Sequence, residues 1–268
     1  MTTIAEHAAE GAIALDLVEL DLLATEAGTR PPFPLRVPSF GRIEGERTAL
    51  LAGAARSLAE RGLATGQGPT GLAADLVAAL RDQRGTLDLV VAGDAAVTGA
   101  VALVRGESAV VCRQSLAGVP GRVSVTTVTA VALTDEFTGL VPPTRAARAM
   151  PITLPPGVVG DAIRLLENTA GAAAPHQRVR TLVRERGGDP AAVDALLTLL
   201  PSVSGRGQLG TVRYRNGHAE RGPELSWLDS PSGRVRVHQD DRGWVSVNPL
   251  RHSELVHELR AAAARART

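Results

Sequence analysis

Residues 87–114, LDLVVAGDAAVTGAVALVRGESAVVCRQ, decide the fold class. β-branched and small apolar residues fill three short runs, and glycine-containing turns separate these runs, which is typical of consecutive antiparallel strands. Arg105-Gly106-Glu107 is the expected tight connection between the second and third strands. The most apolar window, 87–104, also holds two aspartates and two glycines, so it predicts two strands rather than a membrane-spanning helix.

Helical patterns lie before these strands, and the same order of elements returns later in the chain. Residues 13–27 predict a short strand followed by a helix, and two further helices are predicted over about 44–61 and 72–80. After a segment with five prolines, 142–156, helical patterns are again followed by strands and by a closing helix that starts near His252.

This repeated order predicts an α+β protein with a pseudo-twofold arrangement. Its halves span about 1–141 and 151–268, and the proline-rich segment near 142–156 is the predicted linker. Two similar half-sheets would associate into a central antiparallel or mixed sheet flanked by helical bundles. A chain of 268 residues is long enough to bury a large core, so we expect the whole length, 1–268, to form a single domain.

Composition excludes several classes of function. The hydrophobic share of 44% and the charged share of 21% fit a globular protein, and the net charge of +1 gives no overall attraction to nucleic acid or anionic lipid. The single cysteine, Cys112, cannot form an internal disulfide, which fits a reducing compartment. The N-terminal segment has acidic residues where a secretory signal would be basic. We therefore expect a cytoplasmic protein without membrane insertion.

Motifs for catalysis, cofactors and metals are weak. The stretch Gly205–Gly210 matches G-x-G-x-x-G, but a helix is predicted before it and a strand after it, which is the reverse of a dinucleotide site. His252 and His257 are five residues apart and face different sides of a helix, whereas a metal pair needs a spacing of three or four. The sequence therefore favours a protein with no catalytic residue, no cofactor and no metal.

Arginines alternate with apolar residues in two predicted strands. Arg213 and Arg215 lie in one strand, and Arg234, Arg236 and His238 lie in the other. One face of this half-sheet is thus expected to be basic and the other apolar. The basic face could be a solvated surface, a protein-docking surface or a nucleic-acid-binding module. Stacking aromatics are scarce in the chain, which makes nucleic acid the weaker alternative.

Two segments of the sequence resemble the EspG family, the cytosolic specificity chaperones of the ESX (type VII) secretion systems. One is the tail, residues 204–259, with its glycine-rich bend, the S-W-L-D turn at 226–229 and the strand W-V-S-V at 244–247. The other is PPFPLRVPSFGRIEGERTALLAGAARSLAERGLA, residues 31–64. The resemblance implies a pseudo-twofold α+β fold and no catalysis. It also implies that the protein covers the apolar tip of the PPE partner in a PE–PPE heterodimer, which keeps this secretion substrate soluble.

The resemblance implies client contacts by region only. In this sequence the regions contain Val101, Leu103 and Arg105 on a strand, and Leu196 and Leu199 on a helix, and the four strand arginines join this candidate surface. Alternatively, the four apolar residues belong simply to the core. Trp227 and Trp244 are assigned to packing, and whether the free protein forms a homodimer stays open.

Overall fold

The computed structural model describes residues 11–94, 96–148, 151–158, 161, 175–215 and 218–267. These residues form an α+β fold, as the sequence predicts. Contacts within the chain define two compact units. The first comprises Met1–Val141, Leu209–Glu224 and Glu258–Thr268, and the second comprises Pro142–Gln208 and Leu225–His257. The pseudo-twofold relation between two sequential halves stays a prediction.

The first unit combines helices with long strands. Strand β1 (Ile13–Leu15) is followed by helices α1 (Leu17–Glu26), α2 (Glu44–Glu60) and α3 (Gly71–Asp82), with the small hairpin of β2 (Ala64–Thr65) and β3 (Gly68–Pro69) between α2 and α3. Strands β4 (Gly85–Gly93), β5 (Val97–Arg105), β6 (Ser108–Ser115) and β7 (Val123–Thr129) come next, and then the short helix α4 (Leu133–Thr138). Later parts of the chain add most of β9 (Gly205–Arg215), the strand β10 (His218–Arg221) and the last part of α7 (His252–Arg267).

The strands of the first unit form an antiparallel sheet in the order β1-β7-β6-β5-β4-β9, and β10 pairs with the end of β9. The predicted hairpin is confirmed, because Arg105 is paired with Ser108 and Gly106 takes a φ of 60° in the turn. A left-handed conformation of this kind favours glycine over any residue with a Cβ.

The core of the first unit lies between α1, α2 and α3 and one face of the sheet. Its sheet side consists of Val101, Leu103, Val110, Cys112, Val123 and Val125, and its helix side includes Leu20, Leu23, Leu58, Leu76 and Leu80. In β5, β6 and β7 the contributing residues are two apart, because side chains alternate between the two faces of a sheet.

A buried carboxylate ties α1 to α2. The side chain of Glu19 is 1% exposed, and its Oε2 accepts hydrogen bonds from the backbone N–H of Asp16 and from Arg61 Nη1, both at 2.8 Å. Ser57 donates to Glu19 Oε1 at 2.7 Å. A buried charge is tolerated only when it is paired and hydrogen-bonded, as it is here.

The second unit has its own sheet and its own helices. Its strands β8 (Ile152–Leu154), β11 (Leu225–Ser230), β12 (Gly233–Gln239) and β13 (Val245–Pro249) pair antiparallel in the order β11-β12-β13-β8. Helices α5 (Pro175–Glu185) and α6 (Pro190–Leu199) and a 3-10 turn over Leu200–Ser202 precede β9. Asp189 caps α6, since its Oδ1 accepts from the N–H of Ala191 at 2.9 Å, and Pro190 follows it at the start of the helix.

The core of the second unit includes the segment predicted as a linker. Ala147, Ile152 and Leu154 from this segment are buried together with Val179, Val183, Val193, Val235 and Val247. The described parts of this segment, 142–148 and 151–156, therefore contribute a strand and core side chains to the second unit.

Candidate functional site

The strand residues implied as client contacts occupy different environments. Val101 and Leu103 are fully buried beneath the helices of the first unit, in the environment that the core alternative predicts. Arg105 ends β5 and is exposed. A role of Val101 or Leu103 in client binding would therefore be indirect, and a contact by Arg105 stays a prediction.

Part of the same sheet face lies open beside these helices. Strand β9 follows β4 in the sheet, and Tyr214 N–H donates to the carbonyl of Arg84 at 2.8 Å. A Cβ on Gly210 would lie 2.7 Å from Asp88 Oδ2, so Gly210 and Asp88 are opposite each other on one face. Asp88 is paired with Val101, and this face is therefore the one that the helices cover farther along the sheet.

Alternation along each strand places four apolar residues on this uncovered part of the face, which we call the open sheet strip: Val90 on β4, Val212 and Tyr214 on β9, and Ala219 on β10. Tyr214 is 40% exposed, Ala219 is exposed and the two valines are half-buried. Ala219 is paired with Tyr214, and Arg221 is paired with Val212. The open sheet strip is thus an apolar surface at Val212, Tyr214 and Ala219 with Arg221 beside it, and Asp88 lies between these residues and Val90.

Side chains from two loops cover the sheet face next to Val90. Gly99 is paired with Val90, and a Cβ on Gly99 would lie 2.8 Å from Leu116 Cδ1 and 3.0 Å from Pro34 Cγ. Phe33, the residue before Pro34, is 61% exposed.

Asp88 is a charged residue at the base of the open sheet strip. Asp88 is 9% exposed, and its own backbone N–H donates a hydrogen bond to its carboxylate. Burial and, to a lesser extent, the charge of Glu224 raise the pKa of Asp88 to about 6, although Arg221 and the backbone N–H of Asp88 lower it. Sequence motifs do not identify this residue, although an aspartate within the apolar run LDLVV is a usable signal.

The arginines of β9 lie on the other side of this sheet from Tyr214. Arg213 is paired with Glu220 on β10 and donates to its Oε2 at 2.8 Å, and this hydrogen bond is the main reason why the pKa of Glu220 is lowered. Arg215 is exposed and contributes a further charge near Glu220. The predicted alternation is confirmed here, since Tyr214 and the two arginines face opposite sides.

Arg234 corrects the prediction of an exposed basic face in the second unit. Its side chain is 0% exposed. It forms a bidentate ion pair with Asp229, in which Nε and Nη2 donate to the two carboxylate oxygens at 2.7 and 2.8 Å, and Nη2 also donates to the carbonyl of Pro142 at 3.0 Å. Its guanidinium carbon also lies 5.4 Å from the centre of the Trp227 ring. Arg236, next on the same strand face, is half-buried. With Arg234 buried, the expected row of exposed arginines does not include this residue.

The helices of the second unit carry the other predicted client contacts. Leu196 and Leu199 on α6 are half-buried and pack against the core, while Leu200 just after them is 42% exposed. On α5 a shallow depression of about 300 Å³ is lined by Gln177, Arg178, Thr181, Leu182 and Glu185. The structure leaves the role of Leu196 and Leu199 in client binding as a prediction.

The glycines of the G-x-G-x-x-G stretch serve packing within each unit. A Cβ on Gly207 would overlap the buried ring of Trp227, and Gly210 leaves room for the Asp88 carboxylate. The stretch lies within β9 itself rather than forming a bend before it. Trp244 also differs from its assignment to packing, because it is 37% exposed.

Catalytic and metal-binding features are weak in the described residues. Burial raises the pKa of the Cys112 thiol to about 12, so this thiol stays protonated and is a poor nucleophile. Within the described ranges, no three His, Cys, Asp or Glu side chains lie close enough to hold a metal ion. The helices that the structure describes also lack the combination of length and apolar character needed to cross a bilayer.

Comparison with known proteins gives a family and a fold. The model of the EspG family matches residues 16–261. Among solved structures, the chain is similar to the type VII secretion system chaperone EspG5 of Mycobacterium tuberculosis, which was solved in complex with the PE25-PPE41 dimer. The identity is 14% and the TM-score 0.64, over 95% of this chain and 96% of that chain. No curated protein sequence matches this chain.

Proposed function

Because this chain belongs to the EspG family, we propose that it is a chaperone of a type VII secretion system that binds the PPE partner of a PE–PPE heterodimer. The family match over residues 16–261 is the observation that carries this proposal. Its solved neighbour EspG5 was captured with a PE25-PPE41 dimer, which supports the same class of client. In this proposal the protein acts in the cytoplasm and without catalysis.

The physical task of such a chaperone is to cover an apolar surface. An exposed apolar patch on a client promotes aggregation, and a complementary apolar surface with a polar rim keeps it soluble. The open sheet strip has these properties, since Val212 and Tyr214 are bordered by Arg221 and Arg84. We place the main client contact on this strip, with Leu196 and Leu199 on α6 as the second predicted region.

Co-expression with PE–PPE pairs tests the client class. The protein is expected to co-elute with at least one pair in size-exclusion chromatography and to increase the soluble yield of that pair. Separate elution from every pair encoded in the source genome would contradict the proposal.

A pair of variants tests the surface. Tyr214→Asp places a charge on the open sheet strip and should weaken client binding at least tenfold, because an apolar client surface would have to remove water from the new carboxylate. Val119→Asp is the matched control, since Val119 is 90% exposed on the loop between β6 and β7 and is not one of the residues that define the strip. Equal affinities of the two variants, both folded by circular dichroism, would exclude the open sheet strip as the contact.

A further inference from the structure

A carboxylate beneath an apolar docking surface couples binding to protonation. Asp88 lies at the base of the open sheet strip, and 9% of its surface is accessible to water in the free protein. An apolar client that covers the strip would remove this remaining contact with water. Removal of water disfavours the charged form of a carboxyl group, so the covered state would favour protonated Asp88.

The groups around Asp88 offset this effect only in part, because Arg221 and the backbone N–H of Asp88 lower its pKa while Glu224 raises it. Val101 faces it from β5 and Gly210 faces it from β9, and both lack a polar side chain. Arg221 on β10 and Glu224 just after this strand are the charged groups that act on it, and their influences have opposite signs. His218, on the same strand β10, is paired with Arg215 and therefore lies on the opposite face of the sheet from Tyr214.

We infer that Asp88 is a proton-linked recognition residue of the open sheet strip, which takes up a proton when an apolar client surface covers it. This inference rests on the proposed function and adds a property of the binding surface. A client that instead presented a lysine or arginine to Asp88 would release a proton, since an opposite charge favours the carboxylate. The sign of the proton change therefore reports the chemistry of the client surface.

The expected effect is large enough to measure. Asp88 has a pKa of about 6 in the free protein. If binding raises it by about one, the Kd should tighten about eightfold between pH 8 and pH 5, with uptake of about half a proton at pH 6.5. Acidification would thus increase the affinity for the client.

Calorimetry with the co-eluting PE–PPE heterodimer, in buffers of different ionisation enthalpy, tests the inference. Wild type should take up protons on binding, and Asp88→Asn should lose this uptake and vary less than about twofold in Kd over the same pH range. Asp94→Asn removes an exposed aspartate at the nearby turn and should behave as wild type. Comparison of the variants separates Asp88 from other titrating groups of either partner.

The outcomes distinguish this inference from the proposed function. Absence of binding by every pair at every pH would overturn both. Binding whose proton uptake is the same in wild type and Asp88→Asn, or proton release that depends on Asp88, would overturn the inference alone. An NMR titration of the free protein is a second test, because a carboxyl pKa for Asp88 below about 4.5 would also overturn it.

Discussion

Replacement of Arg234 by methionine should destabilise the protein more than any surface substitution. Methionine keeps most of the side-chain volume but removes both hydrogen bonds to Asp229, which is itself only 14% exposed in its side chain. It also removes the bond to the Pro142 carbonyl and the weaker bond to Thr144 Oγ1 at 3.3 Å. Loss of one partner from a buried ion pair costs about 3–5 kcal/mol.

Urea unfolding monitored by tryptophan fluorescence measures this cost directly, because Trp227 lies beside Arg234. Arg215→Met is the control, since Arg215 is exposed and its replacement should change the free energy of unfolding by no more than about 0.5 kcal/mol. The double variant Arg234→Met/Asp229→Leu should recover much of the loss, because no buried charge is left without a partner.

A cost below about 1 kcal/mol for Arg234→Met would refute this reasoning. It would mean that Arg234 lies in water and belongs to the basic surface that alternation in the sequence predicts. A double variant as unstable as the single one would instead place the loss in packing rather than in the ion pair.

Three further substitutions test the packing and the charges of the two units. Gly207→Ala should destabilise the fold by about 1–3 kcal/mol, because its Cβ would overlap the Trp227 ring. Gly66→Ala is the control, since a Cβ there meets nothing within 4 Å and should not destabilise the fold. Equal melting temperatures of the two variants would contradict this packing. Glu19→Ala should lower the free energy of unfolding, measured in urea, by about 2–4 kcal/mol, because Arg61 and the Asp16 N–H lose their acceptor. Glu44→Ala is the control at an exposed position, and equal melting temperatures of the two variants would show that the hydrogen-bond network around Glu19 is not formed. Asp88→Asn should have a free energy of unfolding about 3 kcal/mol above that of wild type at pH 7, and this difference should disappear at pH 3. The reason is that the pKa of Asp88 is about 6 in the folded state and 3.8 ordinarily, so wild-type stability falls as the pH rises through this range. A difference between Asp88→Asn and wild type that does not vary with pH would contradict the burial of this carboxyl.

Local patterns in the sequence predict the elements of this fold well. The hairpin at Arg105-Gly106-Glu107 and the cap at Asp189 depend on neighbouring residues, so turn chemistry and capping preferences are sufficient to find them. The alternation of Arg213, Tyr214 and Arg215 likewise follows from the period of a strand.

Burial by segments far along the chain could not be predicted in this way. Alternation places Arg234 on a face of β12, but only the approach of residues 142–147 makes that position buried, through the carbonyl of Pro142 and the backbone pairing with Ala147. The open sheet strip depends in the same way on β9 lying next to β4, a pairing between distant segments that brings Gly210 opposite Asp88.

The most direct measurement of the central claim is size-exclusion chromatography with light scattering on the protein co-expressed with each PE–PPE pair of its source genome. The account predicts one species whose mass equals the sum of this chain and both partners, and its loss in Tyr214→Asp but not in Val119→Asp. Elution of this chain at its own mass beside every soluble pair would contradict the account.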